Sequence, residues 1–267
     1  MSNTQNIPVA ILCGGKGTRL KEETEFWPKP MIMIGDRPII WHIMKIYSHY
    51  GFSDFMLCLG YKGEMLREYF FHYDWNYNDI LLELGSKRVT KLMESHEEDN
   101  WKLWMVDTGQ ESMTGGRLKR LGRYLDQLGS ECFFATYGDG VGDVNIQELL
   151  AFHKQHGKMA TITAVRPPSR FGELVVQENM VRSFKEKPQT SEGWINGGFF
   201  VLHRKVLDLI EGDKTIFEAE TLPQLSKMRE LGVYQHDGFW QCMDTYRELE
   251  LLQELKQREK APWEVWR

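Results

Sequence analysis

Apolar residues along this chain follow two rhythms. Short apolar runs, bounded by Gly, Pro or charge, lie at 9–13, 55–59, 102–106, 132–137 and 159–165. Such runs predict strands buried on both faces of a mostly parallel sheet, because neither face is left polar. Between them apolar residues recur at helical spacing. Ile39, Ile40, Ile43, Met44 and Tyr47 precede Gly51, and Leu66, Tyr69, Phe70 and Tyr73 mark a short helix. Leu118, Leu121, Leu125 and Leu128 give the helix after a glycine loop at 107–116 its stripe, and a further helix spans about 146–156. Alternation of this kind predicts an α/β fold, three layers deep, with a mixed, mostly parallel central sheet between helices.

Other stretches break the alternation. The aromatic segment at 75–78 reads as a turn, 80–84 as a short strand, and 86–100 as a loop or exposed ribbon. Strand-like runs at 174–176, 181–184 and 199–202, separated by Gly, Pro and Asn, predict a small antiparallel sheet region at about 166–203. A helix follows at 217–231 with Pro223 near its start, then an edge strand at 233–235. The last helix, about 245–260, packs Leu249, Leu252 and Leu255. A tail carrying Trp263 and Trp266 is expected to dock on the body or on another subunit. No linker composition interrupts the chain, so residues 1–267 read as one domain with an appended helix and tail at about 244–267.

Composition narrows the partners. The chain has 267 residues, 42% hydrophobic and 27% charged, with a net charge of -5, an ordinary globule with no electrostatic case for nucleic acid. No run of 18 apolar residues and no signal-like leader occurs, which predicts a cytoplasmic protein with no membrane partner. Cys13, Cys58, Cys132 and Cys242 lack metal spacing and read as buried, reduced thiols. His42, His49 and His72 fall at helical apolar positions and read as packing residues.

Candidate chemistry begins where the first strand ends. The run PVAILCGGKGTRL, opening at Pro8, delivers Gly14, Gly15 and Gly17 with Lys16, Thr18 and Arg19 to the carboxyl end of a strand, where open α/β sheets hold ligands. Backbone N–H groups and cations there suit a polyphosphate. Neither the dinucleotide fingerprint nor the Walker A spacing fits, and Asp36, the acid nearest the right distance for the former, lies in a turn. The segment at 21–26 suits a flap over the ligand.

The pattern G-G-x-G-T-R-L followed by P-K-P resembles the signature of the sugar-phosphate nucleotidylyltransferases. Further blocks carry the likeness: WPKPM around Lys29, IIWHIMKIYS from Ile39, GYKG from Gly60, DTGQESMTGGRLKR from Asp107, TYGDG from Thr136, FKEKP from Phe184, INGGFFVL from Ile195 and FWQCMDT from Phe239. Within the family they look most like the members that move a cytidylyl group. The resemblance implies a Rossmann-like, GT-A type fold, CTP and glucose 1-phosphate as substrates, Mg2+ as cofactor, and a homo-oligomer, a hexamer in form. It also implies supply of CDP-glucose to deoxysugar synthesis for cell-surface polysaccharide (O-antigen).

Residue roles follow by the same likeness. Leu12, Gly14, Gly15, Gly17 and Thr18 would hold the nucleotide, with Arg19 and Lys29 at the reacting phosphates. Gln110, Gly115 and Arg117 would face the base, with Thr136 near the ribose, and Gly138 would be a further substrate-binding residue. Gly172, Glu173, Glu186, Lys187 and Asn196 would hold the sugar phosphate, and Asp139 and Asp244 the metal. On residue grounds alone Asp139 fits a turn before Gly140 equally well, and Asp244 fits the N-cap of the last helix. Uridylyl or thymidylyl transfer is the rival within the family. A non-catalytic nucleotide-sugar sensor, which need not keep both acids, is the rival outside it.

Overall fold

A computed structural model describes residues 7–15, 26–91, 97–167, 173–177, 180–185 and 193–267. In chain order the elements that matter to the site are β1 (Val9–Leu12), α1 (Ile39–His49), β2 (Asp54–Leu59), α2 (Gly63–Phe71), β3 (Lys102–Asp107), α3 (Thr114–Arg120), α4 (Gly122–Leu128), β4 (Cys132–Tyr137), β5 (Gly140–Gly142), α5 (Ile146–His156), β6 (Ala160–Val165), β7 (Ile195–His203), α6 (Leu222–Lys227), β8 (Leu231–His236), β9 (Trp240–Cys242) and α7 (Tyr246–Gln257).

Seven strands form the central sheet in the order β8-β6-β7-β4-β1-β2-β3. β7 runs antiparallel to both neighbours and the other pairings are parallel, so the sheet is mixed and mostly parallel. Period-two alternation divides the core. Val9 and Ile11 face one cluster with α1, α5 and α7, while Ala10 faces another with α3, α4 and α6. The three layers predicted from the apolar runs are thus present, and the central strands β1, β2 and β4 lack polar faces because helices cover both sides.

Several boundaries depart from the sequence reading. The stretch at 75–78 is not a turn: it belongs to a short helix, Tyr73–Tyr77, held by ring contacts of Tyr73 and Tyr77 with Tyr69 and by the Trp41 indole donating to Tyr73 Oη at 2.8 Å. The glycine loop ends earlier than 116. α3 starts at Thr114 because the Met113 and Gly115 N–H groups, orphans of a helix start, donate to the Asp213 and Thr215 carbonyls at 2.8 and 3.0 Å. The run at 199–202 lies in the central sheet, inside β7, and is not part of a peripheral sheet. Outside the core, Glu173–Gln177 pairs with Met180–Lys185 as an antiparallel hairpin. The helix expected over 217–231 begins as a wide turn, Phe217–Thr221, before α6.

At the C-terminus Trp263 is fully buried, donating to His42 Nδ1 at 3.3 Å, and Trp266 packs edge-on against Trp41. The tail therefore docks on its own body. No helix among the described residues is long and apolar enough to cross a membrane.

Candidate active site

Two strand pairings bring distant acids together. β4 ends at Tyr137, and after Gly138 and Asp139 the chain continues as β5, which pairs antiparallel with β9 so that Gly140 faces Cys242. Asp139 precedes β5 and Asp244 follows β9, so the antiparallel register puts them at the same end of the ribbon. The Met243 N–H closes it on the Asp139 carbonyl at 2.8 Å. Asp244 is not the N-cap of α7. Thr245 takes that position in a capping box with Glu248, whose Oε2 accepts from the Asp244 and Thr245 N–H groups at 2.7 and 2.8 Å.

Lys29 meets both acids. It opens a single helical turn, Lys29–Met31, between Pro28 and Pro30, and its Nζ donates to Asp139 Oδ2 at 2.8 Å and to Asp244 Oδ1. Burial alone would lower the Lys29 pKa. The Asp139 charge, the hydrogen bonds to both carboxylates and the Asp244 charge outweigh it and hold the ammonium above its ordinary value.

A cavity of about 260 Å³ opens beside this cluster, walled by Leu12, Gly14, Gly15, Lys29, Gly138 and Asp139 on the β1–β4 side and by Ser112, Met113, Thr114 and Arg117 on the other. Arg117 is 4% exposed. Its Nη1 donates to the Leu59 and Gly109 carbonyls and to Thr108 Oγ1, and its Nη2 to the Gly14 and Gln110 carbonyls, at 2.8–3.3 Å. The guanidinium thereby ties together the carboxyl ends of β1, β2 and β3. Glycine is required on both sides of it: a Cβ on Gly14 or Gly60 would come within 2.1 or 2.4 Å of Nη1.

A second cavity of about 460 Å³ shares Thr114, Tyr137 and Asp139 with the first, and adds Thr136, Asn196, Glu218, Trp240 and Asp244. Hydrogen bonds run along its wall. Asn196 Nδ2 donates to Tyr137 Oη at 3.1 Å, Tyr137 Oη donates to Glu218 Oε1 at 2.5 Å, and Thr114 Oγ1 donates to Glu218 Oε2 at 2.6 Å. Burial first, then the Glu218 charge, raise the Tyr137 pKa, so the phenol stays protonated and donates. The Trp240 indole donates to the Gly197 carbonyl, near the start of β7, at 2.8 Å. Burial also pushes the Cys13 thiol well up and the Cys58 thiol to about 12, which leaves neither as a thiolate nucleophile near neutral pH.

The structure thus gathers Leu12, Gly14, Gly15, Lys29, Arg117, Gly138 and Asp139 around one cavity, and Thr136, Asn196, Asp139 and Asp244 around the next. Gln110 and Gly115 line neither. Gln110 is exposed, and the Gly115 N–H is spent on Thr215. Gly17, Thr18, Arg19, Gly172, Glu186, Lys187 and most of the 21–26 flap lie outside the described residues, as does the Glu173 side chain. Sequence reasoning passed over Ser112, Thr114, Tyr137, Glu218 and Trp240. Ser112 and Thr114 sat inside the block assigned to the base, and Tyr137 inside the β4 motif, whereas Glu218 carried no motif at all.

The donor set at the shared wall suits a hard cation. Two carboxylates converge on a single point already held by one positive charge, and each acid side chain is about 30% exposed toward the cavities.

Comparisons with known proteins agree with this geometry. A family model described as nucleotidyl transferase matches residues 9–247. The chain is 50% identical over 262 residues to the glucose-1-phosphate cytidylyltransferase of Salmonella typhi, covering 97% of this chain and 100% of that one. It is 44% identical over 261 residues to the probable glucose-1-phosphate cytidylyltransferase of Bacillus subtilis, with the same coverage. The crystal structure of HddC from Yersinia pseudotuberculosis superposes with a TM-score of 0.68 at 21% identity, covering 93% of this chain and 98% of that one, which supports the fold. Since the family model spans the whole central sheet, from β1 to the first residues of α7, and takes in both acids and Lys29, this chain belongs to the nucleotidyl transferase family.

Proposed function

We propose that this enzyme transfers the cytidylyl group of CTP to α-D-glucose 1-phosphate, giving CDP-glucose and pyrophosphate. The observation that carries the reading is the convergence of Asp139, Asp244 and Lys29 on the wall shared by two cavities. Two relatives named for this reaction, at 50% and 44% identity over nearly the whole chain, support the choice of substrates.

The first cavity, at the carboxyl ends of β1 and β4, takes the nucleotide, and the second takes the sugar phosphate. A phosphate oxygen of glucose 1-phosphate, ionised near neutral pH because its second pKa is about 6, attacks the α-phosphorus of CTP. The bond from that phosphorus to the β-phosphate bridging oxygen breaks, and pyrophosphate leaves with the electron pair. No general base is required, so the protein's task is placement and charge neutralisation. Asp139 and Asp244 would hold Mg2+, which when bound supplies Lewis-acid neutralisation of phosphate charge. Lys29, and by resemblance Arg19 and Lys187, add positive charge at the phosphates. Arg117 sets the start of the glycine loop. Gly115 and Gln110 do not line the cavity, which leaves Ser112, Met113 and Thr114 as the wall facing the base.

Exposed Phe71, Trp75, Leu81, Leu82 and Leu84 support a homo-oligomer, which light scattering tests. A panel of four nucleoside triphosphates crossed with several hexose 1-phosphates, read by pyrophosphate release, tests the reaction. CTP with glucose 1-phosphate is expected to give the highest kcat/KM. Preference for UTP or dTTP would move the chain to the rival transfer, and no release with any pair would favour a sensor.

A further inference from the structure

Lys29 occupies an unusual position for a residue assigned to the reacting phosphate. Its ammonium bridges Asp139 and Asp244, the two acids assigned to the metal, and its side chain is 11% exposed against 28% and 31% for theirs. One monovalent cation therefore bridges both carboxylates and offsets part of their combined charge. A hard dication takes carboxylate oxygens at about 2.1 Å, well inside the 2.8 Å at which Nζ stands from Asp139. A dication on the oxygens that Lys29 now holds, Asp139 Oδ2 and Asp244 Oδ1, would meet the ammonium with strong repulsion at such distances. Lys29 also lines the nucleotide cavity, and its four-carbon stem lets the ammonium turn from the acids toward that cavity while Pro28 and Pro30 hold its backbone.

We propose that Lys29 is an exchangeable counter-ion. It holds Asp139 and Asp244 together until the metal nucleotide enters, then gives up the carboxylates and turns to the phosphates. Metal arriving alone would strand a buried ammonium without an anion, which is costly. With polyphosphate beside it the ammonium finds a new partner. Metal and nucleotide therefore bind cooperatively through Lys29, and by linkage each raises the other's affinity equally. The proposal rests on the metal assignment made under the proposed function.

The test measures Mn2+ binding to the full-length protein by the EPR signal of free Mn2+, with and without α,β-methylene-CTP, which cannot be cleaved at the reacting bond. For the native chain, nucleotide should raise Mn2+ affinity by at least about tenfold, a coupling near 1.4 kcal/mol. Lys29→Met should bind Mn2+ alone at least about tenfold tighter than the native chain and lose most of the gain from nucleotide. If Lys29→Met does not fold, Lys29→Gln keeps polar contacts without the charge and should show the same direction. Equal Mn2+ affinity of the native and Lys29 forms, with binding lost in Asp244→Asn, would overturn the exchange while leaving the metal site standing. No Mn2+ binding by any form, with or without nucleotide, would overturn it by removing the metal assignment beneath it.

Discussion

At the scale of single residues, the second cavity is built around a carboxylate with two hydroxyl donors. Glu218 accepts from Tyr137 and Thr114, and Glu218 and Asn196 both line the cavity to which the proposed reading assigns the sugar phosphate. Glu218→Gln keeps the shape and removes the charge. It is expected to raise KM for glucose 1-phosphate about tenfold, since a hydrogen bond to a charged group contributes roughly 1.5–3 kcal/mol, with KM for CTP changed less than twofold. Steady-state kinetics with each substrate varied in turn checks this. The position illustrates which residues the sequence made legible. Asp139 and Asp244 stand in short motifs, whereas Glu218 lies in an amphipathic helical turn whose sequence looks the same on any protein surface. The rival role of Asp244 as an N-cap could be settled only by coordinates, because Thr245 next to it is an equally good cap and proves to be the one used.

At the scale of elements, the β5–β9 register and the start of α7 decide where Asp244 stands. Glu248 holds the Asp244 and Thr245 N–H groups, and Thr245 accepts from the Glu248 N–H in return. Thr245→Ala removes that return bond and should cost about 1 kcal/mol of stability by urea denaturation. Glu248→Ala also frees the Asp244 backbone, so it should lower kcat further than Thr245→Ala does. Strands with unbroken apolar runs, such as β1, β2 and β4, were readable because burial on both faces demands such runs. Their partners were not, and β7 shows why. An apolar run carries no direction, so β7 reads like a peripheral antiparallel strand although it closes the core between β6 and β4. The helix at Tyr73–Tyr77 escaped notice because its aromatic residues have weak helix propensity and are held by rings elsewhere in the chain.

Across the whole molecule, the C-terminal tail closes one face of the core through a buried histidine. His42 Nδ1 accepts from Trp263 and Nε2 donates to the Ile34 carbonyl, so the neutral ring satisfies both neighbours. Burial first, with Lys256 adding, depresses its pKa to about 4, against the raising effects of Ile34, Glu264 and Asp36. Burial, then His156, His203 and Lys154, bring His153 to about 4 as well. The unfolded chain binds these protons near pH 6.5 and the folded one only near 4, so stability is full above pH 6.5 and falls as pH drops through this window. His42 alone is worth on the order of 3 kcal/mol across it. Urea midpoints should decline between pH 6.5 and 4, and less steeply in His42→Gln if that variant folds. A midpoint that is flat over this range would contradict the neutral buried ring.

The proposed function rests on the sheet edge where Asp139 and Asp244 meet. The initial rate of CDP-glucose formation from CTP and glucose 1-phosphate, followed across a Mg2+ titration, tests this most directly when native chain, Asp139→Asn and Asp244→Asn are compared. Each substitution is predicted to lower the rate by roughly 10²- to 10³-fold, the loss typical of one charge-stabilising group, and to raise the Mg2+ needed for half-maximal rate. A native rate and Mg2+ dependence in either variant would contradict the assignment.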